Sequence, residues 1–151
     1  MLDRIEKQIH IRAPRSRVWR AIHDKAEFGK WFRVQLPAGT FAAGEKVSGK
    51  ITHPGYEHVT MDMEVVEVSP EHRLSYRWHP YAIDPNVDYS SEPTTLVTFT
   101  LDETADGTQL TIVESGFDQI PLHRRDEAFR MNDSGWAGQA KNIERHVTAS
   151  E

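Results

Sequence analysis

The sequence predicts an α+β fold in which a mainly antiparallel sheet of about six to seven strands packs against one long C-terminal helix. Two observations lead to this prediction. Apolar residues alternate with polar ones through most of residues 40–117, as in strands with one buried face, and they recur every seven residues after Pro121, as on one side of a helix. Because each apolar face must be covered, the sheet and the helix are expected to bury theirs against each other.

Length and composition restrict the class of protein. The chain has 151 residues, with 23 acidic and 18 basic side chains and no cysteine, which predicts a single domain over residues 1–151. The net charge of −5 without a basic stripe argues against a nucleic-acid surface, and the lack of cysteine excludes a disulfide scaffold and a thiolate nucleophile. Neither a signal peptide nor a membrane span of about 20 apolar residues is found, so we expect a soluble, cytoplasmic protein.

The first part of the chain predicts one strand followed by two short helices. Isoleucines share one parity of residues 3–12, which predicts the strand, and Pro14 suits the first position of a helix. Asp24 is expected to cap a second helix that runs to about Phe32. Large aromatic residues end this helix, and two of them, Trp31 and Phe32, are candidates for the wall of a cavity.

A series of strands is expected to begin at Phe41 and to end with a hairpin over residues 94–117. Val66 and Val68 depart from the parity of the preceding residues, which predicts a bulge or a strand covered on both faces. In the hairpin, Asp106-Gly107 is expected to supply the positive φ that the turn needs, in a loop of more than two residues.

Residues 80–93 lie between two of these strands and contain three prolines, two aspartates and two tyrosines without periodicity. A loop of this length inside a compact domain is typically mobile or functional, for example as a lid over a binding site. The C-terminal helix that follows has one apolar stripe, and residues 132–135 in its middle favour a break because they are poor helix formers and good caps. The stripe contains Leu122, Phe129, Trp136 and Ile143, extended by Ala140 and Val147.

The strongest functional indication is Glu114, which shares the strand parity of Leu110 and Ile112. An unbroken strand would turn its carboxylate toward the apolar face, where a charge is costly unless it is paired, protonated or facing a cavity. Glu114 could then orient a ligand or act as a general acid or base. Alternatively, Ser115-Gly116 turns the side chain outward, or a tyrosine hydroxyl or an indole N–H satisfies it.

Other chemistry has little support in the sequence. The eight histidines form no helical pair, and His53 and His58 are separated by a Pro-Gly turn, so no metal site and no cofactor are predicted. Ser115 and Ser134 have no neighbouring histidine, so acyl transfer is not indicated either.

Three stretches and one dipeptide, taken in their order, carry a family resemblance: residues 9–32, 65–78 and 94–117, and the pair Gly135-Trp136. They resemble the homologues of the Hsp90-ATPase activator, called AHSA-like proteins. That family lies within the START-like, or SRPBCC, superfamily of hydrophobic-ligand and polyketide-cyclase-type domains. The resemblance runs through nearly the whole chain. It implies a single helix-grip domain over residues 1–151, in which a curved antiparallel sheet grips the C-terminal helix with a cavity between them.

With this resemblance, we expect the protein to bind an apolar small molecule in that cavity, with Glu114 as the polar contact. The alternative is a solid core filled by the same side chains. Two other functions remain open: a cyclase- or lyase-type enzyme with Glu114 as acid or base, and a chaperone-interaction module that uses an outer surface. The oligomeric state is left open. The expected ligand-binding residues are Trp31, Phe32, Met61, Met63, Tyr76, Trp78, Phe99, Ile112, Glu114, Phe117 and Trp136.

Overall fold

A computed structural model describes residues 4–149, and within them seven strands form one open sheet with antiparallel neighbours, in the order β1-β7-β6-β5-β4-β3-β2. The strands are β1 (Arg4–Ile11), β2 (Val34–Gln35), β3 (Lys46–Ile51), β4 (Thr60–Ser69), β5 (Arg73–Trp78), β6 (Thr95–Thr104) and β7 (Gly107–Ser115). The helices are α1 (Arg15–His23), α2 (Lys25–Phe32) and α3 (Leu122–Thr148), with one 3-10 turn at Phe117–Gln119. The predicted α+β class, with two short helices after the first strand, is confirmed. Residue 3 of the predicted first strand lies outside the described residues.

The sheet is curved, and one of its faces packs against α3 to form the core. Alternation in β6 and β7 buries their apolar residues on this face, as the sequence predicts. In β4 the pairing with β5 shifts register between Val65 and Glu67, which confirms the predicted bulge and leaves Val66 46% exposed.

One residue, Asp24, lies between α1 and α2 and caps the start of α2. The side chain of Asp24 accepts a hydrogen bond from the backbone N–H of Glu27 at 3.0 Å, as an N-cap does, and so confirms the predicted start of α2. The expected strand at Phe41 is wrong, because Thr40 forms only an isolated bridge with Asp24. The short strand β2 was not predicted, because two residues give no periodicity to detect.

The hairpin turn between β6 and β7 differs from the prediction. Thr104 pairs directly with Gly107, so the loop contains only Ala105 and Asp106. Gly107 does not have a positive φ. It is required for another reason: a Cβ atom at this position would lie 2.1 Å from the backbone oxygen of Ile11.

Helix α3 runs without a break through residues 132–135, so the predicted interruption is wrong. Local propensity is a weak prior that tertiary contacts override, and Asn132 uses its side chain in a contact with the sheet instead of in a cap. Leu122 is 78% exposed, whereas Ala128 is buried, because an exact seven-residue repeat drifts away from one face of a straight helix. Within residues 4–149 no helix has the length and apolar character needed to cross a membrane.

Candidate ligand-binding site

Glu114 lies on the buried face of the sheet, one residue before the end of β7. Its partners in the register are Ile5 of β1 and Val97 of β6, and its side chain is fully buried, as strand parity indicates. The outward turn considered as an alternative does not occur, because β7 keeps its alternation through Glu114. Gly116 adopts a left-handed conformation, with a φ of 101°, only after the strand has ended.

Four hydrogen-bond donors surround the Glu114 carboxylate. Trp78 Nε1 at 2.7 Å and Thr95 Oγ1 at 2.6 Å donate to Oε2, while Asn132 Nδ2 and Trp136 Nε1, both at 2.9 Å, donate to Oε1. None of these donors is charged. An ionised carboxylate only accepts hydrogen bonds, so four donors match it, and each such bond contributes roughly 1.5–3 kcal/mol. We call these five residues the Glu114 cluster.

Tyr76 lies in the same cross-strand row, since it pairs with Val97 in the register. Its ring is buried, and its hydroxyl has no hydrogen-bond partner among the residues that the structure describes. Burial, and then the negative charge of Glu114, raises the pKa of Tyr76 well above its ordinary value. Tyr76 therefore stays neutral and serves as an aromatic packing residue next to the Glu114 cluster.

A cavity of about 750 Å³ adjoins the Glu114 cluster and opens to solvent. Its wall is built from the end of α2, the turn between β3 and β4, the end of β5, the loop that follows β5 and one side of α3. Trp78 and Asn132 belong both to this wall and to the Glu114 cluster. Aromatic side chains in the wall are Phe32, Tyr56, Trp78, Tyr81 and Tyr89, and aliphatic ones include Ile51, Val59, Met61, Ile83, Val87 and Met131.

The loop over residues 79–94, which we call the covering loop, is fastened to α3 by Arg124. Arg124 donates from Nε to Glu92 Oε1 at 2.8 Å and from a terminal nitrogen to the Pro80 carbonyl at 2.7 Å. Its guanidinium also lies 4.8 Å from the centre of the Tyr89 ring, within cation–π distance. One side chain of α3 therefore holds both ends of the loop that forms much of the cavity wall.

Tyr81 has an unusual backbone conformation in this loop, with a φ of 51°. A left-handed conformation is rare for an aromatic residue and persists only where the surroundings fix it. The preceding residue, Pro80, is held by Arg124, and Tyr81 packs on the edge of the core and lines the cavity. Burial raises the pKa of Tyr81, with a further contribution from Tyr56.

Three histidines of the wall bind backbone carbonyls. His53 Nδ1 lies 3.0 Å from the Pro54 oxygen, and His58 Nε2 lies 3.0 Å from the Ile83 oxygen. His79 Nε2 lies 3.0 Å from the Glu92 oxygen, inside the covering loop. Each contact uses one ring N–H. Over residues 4–149, no group of three or more histidine and acidic side chains is placed to hold a metal ion.

The structure brings three of the eleven predicted ligand-binding residues into the cavity wall: Phe32, Met61 and Trp78. Under the middle of α3 the space is filled by rings, with Phe99 5.8 Å from Trp136 and 6.2 Å from Tyr76. The cavity therefore lies toward one end of the sheet. The predicted residues outside its wall are Trp31, Met63, Tyr76, Phe99, Ile112, Glu114, Phe117 and Trp136.

Sequence reasoning missed the wall residues of two loops and of α3, most notably Tyr56, Tyr81, Tyr89 and Asn132. For Tyr81 and Tyr89 the available signal was the aperiodic stretch 80–93, in which the tyrosines stand between prolines. Nothing in the sequence around Asn132 indicates a site, because its role depends on the position of α3 against β7.

Many solved structures are similar to this chain, and they include the following three. Protein MLL2253 from Mesorhizobium loti is 24% identical, with 98% of each chain covered and a TM-score of 0.77. DynU16, a protein of the dynemicin biosynthetic locus, is 23% identical with a TM-score of 0.75; the match covers 99% of this chain but 48% of DynU16. The Aha1 dimer from Colwellia psychrerythraea is 16% identical, with 99% and 98% covered and a TM-score of 0.71. At these identities the similarity shows the shared fold alone.

The family assignment comes from the sequence. No curated protein matches the chain. The family model described as Activator of Hsp90 ATPase homolog 1-like protein matches residues 12–148, which is most of the chain and includes every element from α1 to α3. The protein therefore belongs to the family of Activator of Hsp90 ATPase homolog 1-like proteins.

Proposed function

We propose that the protein binds an apolar small molecule with an aromatic ring system in the cavity beneath the covering loop. The observation that carries this proposal is the cavity itself: about 750 Å³, with five aromatic side chains in its wall. Small-molecule sites typically measure about 300–1,000 Å³ and combine apolar walls with a few polar groups. The same fold in DynU16, from a biosynthetic locus, supports a role with small molecules. The cytoplasmic location expected from the sequence belongs to the same proposal.

The geometry favours binding over catalysis by Glu114. Both of its oxygens are occupied by donors from the protein, and it is connected to the cavity through Trp78 and Asn132. A general acid or base must lie within hydrogen-bond reach of the proton that it moves. We therefore interpret Glu114 as a positioning residue that fixes two side chains of the cavity wall. The chaperone contact implied by the family name would use an outer surface and remains a separate prediction.

The test is fluorescence titration with N-phenyl-1-naphthylamine, a neutral aromatic probe, on the wild type and on a variant with a filled cavity. Ala82 belongs to the wall, so Ala82→Trp adds a large side chain there. We expect saturable binding to the wild type and at least tenfold weaker binding to Ala82→Trp, a change of about 1.4 kcal/mol or more. Native mass spectrometry of the freshly purified protein is expected to show a co-purified small molecule on the wild type.

The matched control is Ala137→Trp, which places the same side chain at an exposed position of α3. This variant is expected to bind the probe as the wild type does. The proposal is wrong if the wild type does not bind the probe saturably, or if both tryptophan variants bind it equally well while remaining folded by circular dichroism.

A further inference from the structure

We infer that the cavity selects neutral or cationic aromatic ligands that donate hydrogen bonds, that it rejects anions, and that Asn132 provides one of the accepting groups. This inference rests on the proposed binding function and adds the charge and hydrogen-bonding class of the ligand. Three independent features of the wall lead to it: its charges, its histidines and the orientation of one amide.

Apart from its histidines, the described residues of the wall include only acidic ones among the groups that ionise in the ordinary pH range. Among the residues that the structure describes, the wall contains the acidic residues Asp84 and Asp88 of the covering loop and no lysine or arginine; Asp62 also borders the cavity, but its carboxylate binds Ser48 on the outer face of the sheet. Glu114 lies one hydrogen bond behind the wall, and its four donors carry no charge. Arg124 is occupied by Glu92 and Pro80. A sulfonate, phosphate or carboxylate in the cavity would therefore lie near like charges, which weakens its binding.

The histidines of the wall contribute accepting groups as well. A carbonyl oxygen only accepts, so the ring nitrogen that faces it carries the hydrogen in His53, His58 and His79. In a neutral imidazole the second nitrogen is then a hydrogen-bond acceptor. In the neutral form each of the three rings thus has one acceptor nitrogen and no second N–H.

The buried carboxylate fixes the orientation of the Asn132 amide. The oxygen and nitrogen of an asparagine side chain are often assigned only from their partners. Here the partner is Glu114, which in its ionised form accepts only, so Nδ2 must face it, as it does at 2.9 Å. Oδ1 has no hydrogen-bond partner within residues 4–149. The polar atom that Asn132 has left for a ligand is consequently an acceptor.

These features together describe a wall in which Asn132 and the aspartates offer acceptors, the indole N–H of Trp78 is already donated to Glu114, and the hydroxyl groups can accept or donate. A ligand with hydroxyl or N–H groups on an aromatic skeleton matches such a wall. A cationic amine fits too, because carboxylates and aromatic faces both attract cations.

The charge selectivity is tested with two probes that differ by one group. N-phenyl-1-naphthylamine is neutral, and 8-anilino-1-naphthalenesulfonate is the same molecule with a sulfonate. At pH 8 we expect the sulfonated probe to bind the cavity at least tenfold more weakly. Only the part of the signal that Ala82→Trp removes is counted as binding in the cavity. Equal affinities would overturn the inference and leave the proposed function standing, whereas failure of both probes to bind would overturn the proposed function.

A double variant, Asp84→Asn with Asp88→Asn, removes these charges and keeps the shape, and Asp62→Asn on the outer face of the sheet is the matched control. Each of the two aspartates accepts a hydrogen bond on Oδ1, from the backbone N–H of Asn86 and of Ser90 respectively, and an asparagine oxygen can still accept it. We expect the affinity ratio between the two probes to fall at least threefold. An unchanged ratio in the folded variant would contradict the role of these charges.

The role of Asn132 is tested with 2-naphthol and 2-methoxynaphthalene, which displace the neutral probe and differ in the hydroxyl hydrogen. We expect 2-naphthol to bind about 3- to 10-fold more tightly, the range of one net hydrogen bond. Asn132→Leu should bring this ratio close to one. The readout is the ratio, because a purely structural effect would weaken both ligands alike. An affinity ratio near one in the wild type would show that Asn132 does not accept the hydrogen bond. A preference for 2-naphthol that persists unchanged in Asn132→Leu would show the same.

Discussion

The middle of α3 and its N-terminal end each hold a carboxylate from another part of the chain, and they do so by different means. In the middle, Asn132 and Trp136 donate neutral hydrogen bonds to Glu114, which is fully buried. Near the N-terminal end, the charged Arg124 holds Glu92 of the covering loop at 2.7 Å, and their side chains are 11% and 14% exposed. The first contact is sealed in the core, and the second lies at the margin of the cavity.

The C-terminal end of α3 resembles the N-terminal end. His146 lies 2.8 Å from Glu27 of α2, which also binds Arg17 and Arg20 of α1, both at 2.8 Å. Burial alone would raise the pKa of Glu27, but the hydrogen bonds from His146 and Arg17 and the charges of the two arginines outweigh it and lower that pKa. At this end, two arginines of α1 supply the positive charge, and His146 of α3 adds a hydrogen bond.

The buried contacts of Glu114 and the partly exposed ion pairs at the helix ends have different consequences: the first determine stability, and the second allow local opening. A carboxylate without solvent needs every acceptor position filled, so the Glu114 cluster tolerates little movement. A partly exposed ion pair can open, because water replaces the lost partner at modest cost. We therefore expect substitutions in the middle of α3 to change global stability, and substitutions at its ends to change local opening and pH response.

The largest effect is expected for Glu114→Gln. The side-chain NH₂ of glutamine cannot accept a hydrogen bond, so at least one of the two indole N–H groups loses its partner in the core. We expect the free energy of unfolding at pH 7 to fall by about 3 kcal/mol, measured by urea denaturation. The matched control is Glu103→Gln, an exposed position of the same hairpin, which should change stability by less than about 0.5 kcal/mol. Equal effects of both substitutions would show that the buried hydrogen bonds do not contribute as proposed.

Glu114 also shows how far sequence reasoning reaches into this site. Alternation along β7 predicts that its side chain lies on the apolar face, because parity is a local property of a strand. An indole N–H was one of the expected partners. Thr95 and Asn132 were not expected, because they meet Glu114 only through the pairing of β6 with β7 and the position of α3 on the sheet. That position depends on packing between elements distant in sequence.

The location of the cavity was predictable only in part. Strand parity and the helical stripe identify which side chains face inward, and the buried residues largely follow this pattern. They do not tell whether the space between those side chains is filled. The rings of Tyr76, Phe99 and Trp136 fill the centre, and the open volume lies at one end under a loop without periodicity. Volume depends on how rings pack, which no spacing rule contains.

The second effect concerns the covering loop. Arg124→Ala removes the contacts to both Glu92 and Pro80, so we expect amide hydrogen exchange in residues 81–92 to become at least about tenfold faster. Global stability should fall by about 1–2 kcal/mol, less than for Glu114→Gln. The control is Arg125→Ala, which removes hydrogen bonds to the Ile120 and Asp118 carbonyls but none to the covering loop. If amide hydrogen exchange in the covering loop and binding of the neutral probe are both unchanged in Arg124→Ala, Arg124 does not fasten the covering loop.

The third effect is a pH dependence at the C-terminal end of α3. The lowered pKa of Glu27 means that its contacts stabilise the fold above the ordinary carboxyl value of 4.5 and that this contribution is lost as the pH falls through the folded-state pKa. Glu27→Gln is therefore expected to cost about 1 kcal/mol at pH 7 and progressively less below pH 4.5. Urea denaturation at several pH values measures this difference. A cost that is independent of pH would show that packing, not charge, is what Glu27 provides.

The smallest effect is expected for Leu122→Gln. This substitution tests whether an apolar contact or a polar contact fastens the N-terminal end of α3. Leu122 fits the seven-residue repeat of the sequence, yet it is 78% exposed, whereas Ile143 in the same repeat is fully buried. If Arg124 rather than an apolar contact fastens this end, Leu122→Gln should change the free energy of unfolding by less than about 0.5 kcal/mol. Ile143→Val, which removes only one methylene group from the core, should cost about 1 kcal/mol. A larger loss for Leu122→Gln than for Ile143→Val would mean that Leu122 is covered in solution and that the N-terminal end of α3 also uses an apolar anchor.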